Sequence, residues 1–314
     1  MTAQGLFVSD KWKEYELIDC GDHKRLERWG EIILIRPDPQ ALWPTGDHPL
    51  WEKPDAVYHR SSGGGGRWEY IRNMPSDWIV KYRDISFKVS PTGFKHTGLF
   101  PEQAYNWDII RKLLKGRSGN SVLNLFGYTG AASVAAAKSG AEVCHVDSSK
   151  GMLNWTKENA ALSGVEGHIR LIPDDCLNFA KREEKRGKRY DAIIMDPPSF
   201  GRGGKGEVWK LEDDFWRLLL VCARLLSDTP LFLLINSYTA GISPLVAANM
   251  ARSLDLQEFV LSYGELALPF RSDSFRNKTG GEKNNKGKMF LPCGITLCAE
   301  FTHDKNACSS STFQ

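Results

Sequence analysis

Val122-Leu123-Asn124-Leu125-Phe126-Gly127-Tyr128-Thr129-Gly130 is an apolar run that breaks into a glycine-containing turn just before an alanine-rich stretch. A strand turning directly into a helix presents backbone N–H groups that can seat an anion. Thr129 is expected to cap that helix, and Gly140 to follow its last turn. Asp147 and Ser148 end the next strand-like run, roughly 20 residues on, where an acidic side chain can accept both hydroxyls of a ribose. Asp174-Asp175-Cys176 ends a third run. A carboxylate there can accept an adenine amino group while the Cys176 N–H meets a ring nitrogen; Asp175 can equally cap the following helix. The fourth run, Ile193-Ile194-Met195, leaves through Asp196-Pro197-Pro198-Ser199-Phe200. Proline fixes φ and has no N–H, so this loop is stiff and offers carbonyl acceptors to an amino group. Phe200 adds a flat face for a base to stack on, worth about 1–3 kcal/mol in single-strand recognition. A structural turn explains the two prolines but does not need the acid at the strand end. The first three stretches suit a nucleoside cofactor and the fourth its reaction partner. The same spacing suits NAD, although Tyr128 and Ser133 occupy the second and third glycine positions of the dinucleotide pattern.

Such residues meet only if strands and helices alternate. From 121 onward the pattern predicts strand 121–126, helix 130–139, strand 142–147, helix 150–162, strand 168–173, helix 176–185, strand 190–196, helix 213–226 and strand 231–236. This βαβ alternation implies a mostly parallel sheet covered on both faces, with ligands at the carboxyl ends of its strands. Segments 259–263 and 295–301 are expected to close the sheet as an antiparallel edge pair. The fold class is therefore α/β, a Rossmann-like sheet of seven strands, with a small β-containing N-terminal domain over 1–90 and the catalytic domain over 91–314. Within the N-terminal domain a strand-like run, 31–36, ends at Pro37 and Pro39, and runs 78–82 and 85–89 read as a hairpin around Arg83-Asp84. Ser61-Ser62-Gly63-Gly64-Gly65-Gly66 reads as a hinge or exposed loop.

The 314 residues are 41% hydrophobic and 25% charged, the profile of a soluble globular chain with one domain of about 200 residues and a smaller one. No run of roughly 18 apolar residues exists, and charge interrupts the first stretch where a signal peptide needs an apolar core. No membrane association and a cytoplasmic location are expected. The seven cysteines, 20, 144, 176, 222, 293, 298 and 308, show no metal-ligand spacing, so reduced, mostly buried thiols and no metal are expected. A net charge of +3 names no partner, but basic residues cluster at Lys81, Arg83, Lys88, Lys95, Arg111, Lys112, Lys115 and Arg117, and again over 271–288. Such stripes hold nucleic-acid phosphates or are simply solvated faces.

With these motifs assembled, the sequence resembles a known family from about 85 to 300: class I S-adenosylmethionine-dependent methyltransferases, specifically the bacterial 23S ribosomal RNA enzymes that make 5-methylcytosine or 7-methylguanine. Thr97-Gly98-Leu99-Phe100-Pro101-Glu102-Gln103 is similar to the family's lead-in motif, Asn124 to Gly130 to its cofactor loop, Val146-Asp147-Ser148-Ser149 to its ribose motif and Asp196 to Phe200 to its catalytic loop. The resemblance implies S-adenosylmethionine as cofactor, held by Asn124, Tyr128, Thr129, Gly130, Asp147, Ser148 and Asp175, and more loosely by Gln103; Phe126 and Cys176 complete the expected set. Asp196, Pro197 and Phe200 are the expected catalytic residues, and RNA the expected acceptor. One departure bears on the chemistry. Carbon 5 of cytosine is a poor nucleophile, and its methylation needs a cysteine thiolate to add to the ring. In the cytosine-modifying members that cysteine follows the fifth strand, where this sequence reads Ile235-Asn236-Ser237-Tyr238-Thr239. Direct transfer to nitrogen or oxygen, oriented by Asp196 and the Pro197 carbonyl, is therefore expected. The family's N-terminal RNA-binding domain has no clear match in 1–80. A 5-methylcytosine enzyme, a methyltransferase of small molecules or proteins, an NAD-dependent oxidoreductase and a non-catalytic RNA-binding protein are the alternatives. Oligomeric state is not legible.

Overall fold

Ser121–Leu125, Ala192–Met195 and Phe232–Ser237 are buried at nearly every position, which is why they read as continuous apolar runs rather than alternating ones. The computed structural model describes residues 2–61, 65–93, 95–203, 206–238, 241–270 and 289–302. In chain order the strands are β1 (Thr2–Val8), β2 (Tyr15–Gly21), β3 (Lys24–Trp29), β4 (Ile32–Pro37), β5 (Ala56–Arg60), β6 (Gly66–Tyr70), β7 (Trp78–Tyr82) and β8 (Ile85–Val89). There follow β9 (Ser121–Leu125), β10 (Glu142–Asp147), β11 (Ile169–Pro173), β12 (Ala192–Met195), β13 (Phe200–Arg202), β14 (Val208–Lys210), β15 (Phe232–Ser237), β16 (Phe259–Phe270) and β17 (Met289–Phe301). The helices are α1 (Ala104–Leu114), α2 (Ala131–Ala137), α3 (Lys150–Leu162), α4 (Cys176–Lys185), α5 (Leu211–Leu225) and α6 (Pro244–Arg252). The chain divides into two units, one of Met1–Leu6, Asn106–Glu265 and Gly294–Gln314, the other of Phe7–Tyr105 and Leu266–Cys293.

The larger sheet runs β1-β16-β17-β15-β12-β9-β10-β11. Strands β11, β10, β9, β12 and β15 pair in parallel, and β17 pairs antiparallel to β15. From β9 the chain builds outward through β10 and β11, then returns to the opposite side with β12 and β15. A crevice must open where the direction of winding reverses, above the carboxyl ends of β9 and β12. Under one face of the sheet, Ile193, Met195, Leu233 and Ile235 pack with Phe215 and Leu218 of α5 in one buried cluster. Side chains of this size contribute about 1.5–3 kcal/mol each when fully buried.

The seven expected strands are present, and β1 adds an eighth. Strand β17 lies between β15 and β16, so the late pair is not the edge; β1 flanks β16 instead. Pairing between segments this far apart in sequence leaves no local pattern. Helix α6, capped by Ser243 whose side chain accepts the Val246 N–H, is also absent from the sequence pattern. Thr129 does not cap α2: the N-cap is Gly130, in the left-handed region at φ 86°, with no side-chain cap bond. Gly140, at φ 87°, does follow the end of α2.

The other unit contains a five-stranded sheet, β2-β3-β4-β5-β6, and the expected β7–β8 hairpin, which turns through Arg83 at φ 54°. Only β4 and the hairpin were legible, because β3 points charge inward. Glu27, fully buried, accepts from Arg36 at 2.6 Å and from the Tyr15 hydroxyl at 2.8 Å. Buried charge persists only when paired in this way, and it breaks the apolar alternation that marks a strand.

Among the described residues the cysteines are free thiols, all buried except the half-buried Cys298. No described helix is long and apolar enough to cross a membrane. Ser62, Gly63, Gly64, Thr239, the basic run over 271–288 and Cys308 lie outside the described residues.

Candidate active site

After β9 the backbone takes a left-handed step at Phe126 (φ 56°) and another at Tyr128 (φ 53°). Non-glycine residues rarely adopt this conformation, and it persists only where the surroundings over-determine it. Here they do. The Phe126 N–H meets the Cys176 sulfur at 3.2 Å, Gly127 N–H donates to Val146 O at 3.1 Å and Tyr128 N–H to an Asp147 carboxylate oxygen at 2.9 Å.

A polar chain supports the turn from beneath. Asn124 Nδ2 donates to Ser133 Oγ at 2.8 Å, and Ser133 Oγ lies 2.9 Å from Nδ1 of His145. The other ring nitrogen lies 3.3 Å from Thr156 Oγ1, which is 2.9 Å from its acceptor Tyr128 O. Burial lowers the His145 pKa to about 3, so the ring is neutral. The directions then follow: Ser133 gives its proton to Nδ1, and Nε2–H donates to Thr156. Asn159 Nδ2 completes the support by donating to Thr129 O at 2.8 Å.

Two glycines are required by close approach. A Cβ on Gly127 would stand 2.2 Å from the His145 ring, and one on Gly130 2.3 Å from the Thr156 methyl. The pinned imidazole cannot yield, so Gly127→Ala should cost about 1–3 kcal/mol of stability by overpacking. It should also weaken cofactor binding by displacing the turn. A melting curve with calorimetry checks both, and unchanged values would show the turn to be more plastic than its bonds suggest.

Asp147 is half-buried at the end of β10. Burial raises its pKa, opposed by N–H groups from Ser149 and Tyr128, one on each oxygen. A carboxylate has about four acceptor positions, so outward lone pairs are left for a diol. The residues therefore fit a nucleoside cofactor. Ser148 is exposed beside it, and Ser149 caps α3. Asp175 caps α4 by accepting the Asn178 N–H at 2.8 Å, and Asp174 pairs with Arg182. The Cys176 side chain is buried, so its thiol belongs to the core beneath the turn and its pKa is raised by burial.

Beyond β12, Asp196 is half-buried, Pro197 is buried and Pro198, Ser199 and Phe200 are exposed. Burial pushes the Asp196 pKa up to about 7. Trp209, in β14 opposite Gly201 of β13, locks this loop: its indole N–H donates to Pro198 O at 2.7 Å and its ring centroid lies 4.8 Å from that of Phe126. One buried indole thus ties the Pro-Pro loop to the left-handed turn. The Phe200 ring is 51% exposed, with the Arg202 guanidinium 5.9 Å from its centroid.

The structure therefore gathers Asn124, Phe126, Tyr128, Thr129, Gly130, Asp147, Ser148, Asp175, Cys176, Asp196, Pro197 and Phe200 in one unit, at or just beyond the carboxyl ends of β9 to β12. Gln103 falls in the other unit, buried in the turn Pro101–Gln103. Sequence reasoning missed Ser133, His145, Thr156, Asn159 and Trp209. The available signal was a polar residue, His145, inside the apolar run of β10. No group of His, Cys, Asp or Glu among the described residues is arranged to hold a metal.

Three comparisons bear on this geometry. The model of the S-adenosylmethionine-dependent methyltransferase family matches residues 59–265. Ribosomal RNA large subunit methyltransferase K/L of Shewanella frigidimarina is 33% identical over 204 residues, 64% of this chain and 27% of that protein. Its counterpart from Shewanella baltica is 36% identical over 169 residues, 53% of this chain and 23% of that one. This chain thus spans about a quarter of those relatives' length. The SAM-dependent methyltransferase from Agrobacterium tumefaciens superposes with a TM-score of 0.85 at 35% identity, over 96% of this chain and 95% of that one. A SAM-dependent methyltransferase structure from Streptococcus mutans matches at 0.65 and 20% identity, over 92% and 76%, and bears on the fold alone. The nicotinamide alternative that spacing left open is thereby closed. Because the family match takes in all four strand ends and a solved relative follows the chain almost throughout, this protein belongs to the S-adenosylmethionine-dependent methyltransferase family.

Proposed function

We propose that the protein methylates RNA, ribosomal RNA first, at a nitrogen or oxygen and without a covalent intermediate. The observation that carries the reading is the locked Asp196-Pro197-Pro198 loop beside a β15 that ends in Asn236-Ser237, not a cysteine. The names of the Shewanella relatives support RNA as the acceptor class, and the cytoplasm as the place of action follows from that acceptor.

S-adenosylmethionine supplies an electrophilic methyl group; the protein supplies placement. Asp147 and Ser148 hold the ribose, Asp175 and the Cys176 N–H read the adenine, and Thr129 and the start of α2 face the methionine carboxylate, the Tyr128 and Gly130 N–H groups being spent on Asp147 and on Gly127 O. Phe126 shapes the pocket wall. Asn124, whose amide is spent on Ser133, acts by supporting the turn. Asp196 and the Pro197 carbonyl accept N–H bonds from the acceptor, and Asp196 in its carboxylate form takes the proton released on transfer. Phe200 stacks on the base. Holding the reacting atoms about 3–3.5 Å apart in line is the main source of rate.

Lys81, Arg83, Lys112, Lys115 and Arg117 are exposed, where a phosphate backbone would meet them, while Lys88 and Arg111 are half-buried. Lys95 is the weakest of the set, since burial lowers its pKa. Tritiated-methyl transfer to fractionated cell RNA, protein and metabolites, followed by nucleoside analysis, tests the reading. Label in RNA is expected; label in protein or metabolites alone would overturn it.

RNA containing 5-fluorocytosine should be released freely. Cysteine-dependent C5 chemistry would trap it as an adduct. Ser replacements of Cys144, Cys176 and Cys222 should keep most of the turnover. A stable band on a denaturing gel, or an inactive Ser variant that still binds cofactor, would make 5-methylcytosine the product.

A further inference from the structure

We infer that Asn236 is a specificity-determining residue, donating a hydrogen bond to a ring carbonyl or ring nitrogen next to the methyl-accepting nitrogen of a nucleobase. The inference rests on the reading of the acceptor as RNA and narrows it from nitrogen or oxygen to a base nitrogen.

Strands β12 and β15 are parallel neighbours with Met195 opposite Ile235. The next residues are Asp196, just past the end of β12, and Asn236 of β15, so both stand at the same carboxyl edge of the sheet. That edge adjoins the switch-point crevice above β9 and β12. Asn236 is 3% exposed and closes an otherwise apolar run, Phe232-Leu233-Leu234-Ile235. A buried amide is costly there unless its polar atoms are used.

The use of those atoms is directional. Thr296, opposite Asn236 on β17, donates through Oγ1 to Asn106 Oδ1 at 3.0 Å. Asn106, on α1 and 2% exposed, donates through Nδ2 to Asn236 Oδ1 at 2.8 Å. The Asn236 carbonyl is consumed by this chain, which leaves the NH2 group as the face the amide can offer a ligand. A Thr–Asn pair would suffice to fasten α1 to the sheet. The second amide, beside the acid of the Pro-Pro loop, adds a donor next to an acceptor. That pair is complementary to an N–H flanked by C=O or C=N, the edge of guanine, cytosine, adenine or uracil. A ribose hydroxyl offers no such flanking group.

The test is tritiated-methyl transfer to protein-free ribosomal RNA by the full chain, with S-adenosylhomocysteine affinity and melting temperature measured in parallel. Asn236→Ala should lower kcat/KM about tenfold or more with cofactor affinity unchanged. Asn236→Asp should be worse, because it sets a second acceptor against the base. Asn236→Ser should recover part of the loss through its hydroxyl donor. Asn106→Ala leaves the ligand-facing amide in place but frees it to turn, and should give a smaller loss. It serves as the second probe if the Asn236 variants misfold. Wild-type label should sit on a base nitrogen. Label on ribose oxygen, or wild-type transfer by a folded Asn236→Ala, overturns the inference while leaving the RNA reading intact. Absence of wild-type label from RNA would overturn the RNA reading, and the inference with it.

Discussion

Asp196→Asn should abolish methyl transfer while S-adenosylhomocysteine still binds at close to wild-type affinity. The carboxylate is assigned to the acceptor rather than to the cofactor. A positioned group that accepts a proton contributes about 10²–10⁴-fold, so loss on that scale is expected in kcat. Its pKa, raised to about 7 by burial, sets the pH dependence. The active form is the carboxylate, so kcat/KM of the wild type should climb as pH rises through about 7 and then level off. Stability moves the opposite way. A carboxyl group whose pKa is raised by folding favours the folded state fully below the ordinary carboxylate range, and that contribution is lost as pH rises through about 7. Asn carries no charge to bury, so the inactive variant should melt higher than wild type at pH 8. Near-normal turnover would remove Asp196 from the chemistry, and lost cofactor binding would make the loop structural instead.

Asp147→Ala should weaken S-adenosylmethionine binding by roughly 10²–10⁴-fold, because two charge-assisted bonds to the ribose are removed, each worth about 1.5–3 kcal/mol. The substitution also takes the acceptors from Tyr128 N–H and Ser149 N–H. The left-handed turn then loses a restraint, which pushes the effect toward the upper end. Asp147→Asn retains one oxygen and should fall between. Isothermal calorimetry reads this directly, and unchanged affinity in a folded Asp147→Ala protein would place the ribose elsewhere.

Much of the catalytic half was legible because its determinants are local. Strands β9, β10, β12 and β15 are buried on both faces and therefore appear as apolar runs; α3 and α4 begin where Ser149 and Asp175 supply the cap. Once strand ends are known, residues such as Asp147 and Asp196 are placed by chain continuity alone. Capping of α2 was misread because Thr129 has the right side chain, while the turn needed a left-handed residue with no Cβ, Gly130.

What only tertiary structure decided is which residues are partners. Asn106 meets Asn236 across 130 positions and Thr296 meets Asn106 across 190. Trp209 reaches back to Phe126, β1 joins β16 from the far end of the chain, and Glu27 is neutralised by Arg36 from another strand. A hydrophobic pattern records whether a position faces the interior. It carries no record of what waits there, because burial of apolar surface is non-directional whereas hydrogen bonds, ion pairs and close packing require a named neighbour at a fixed distance.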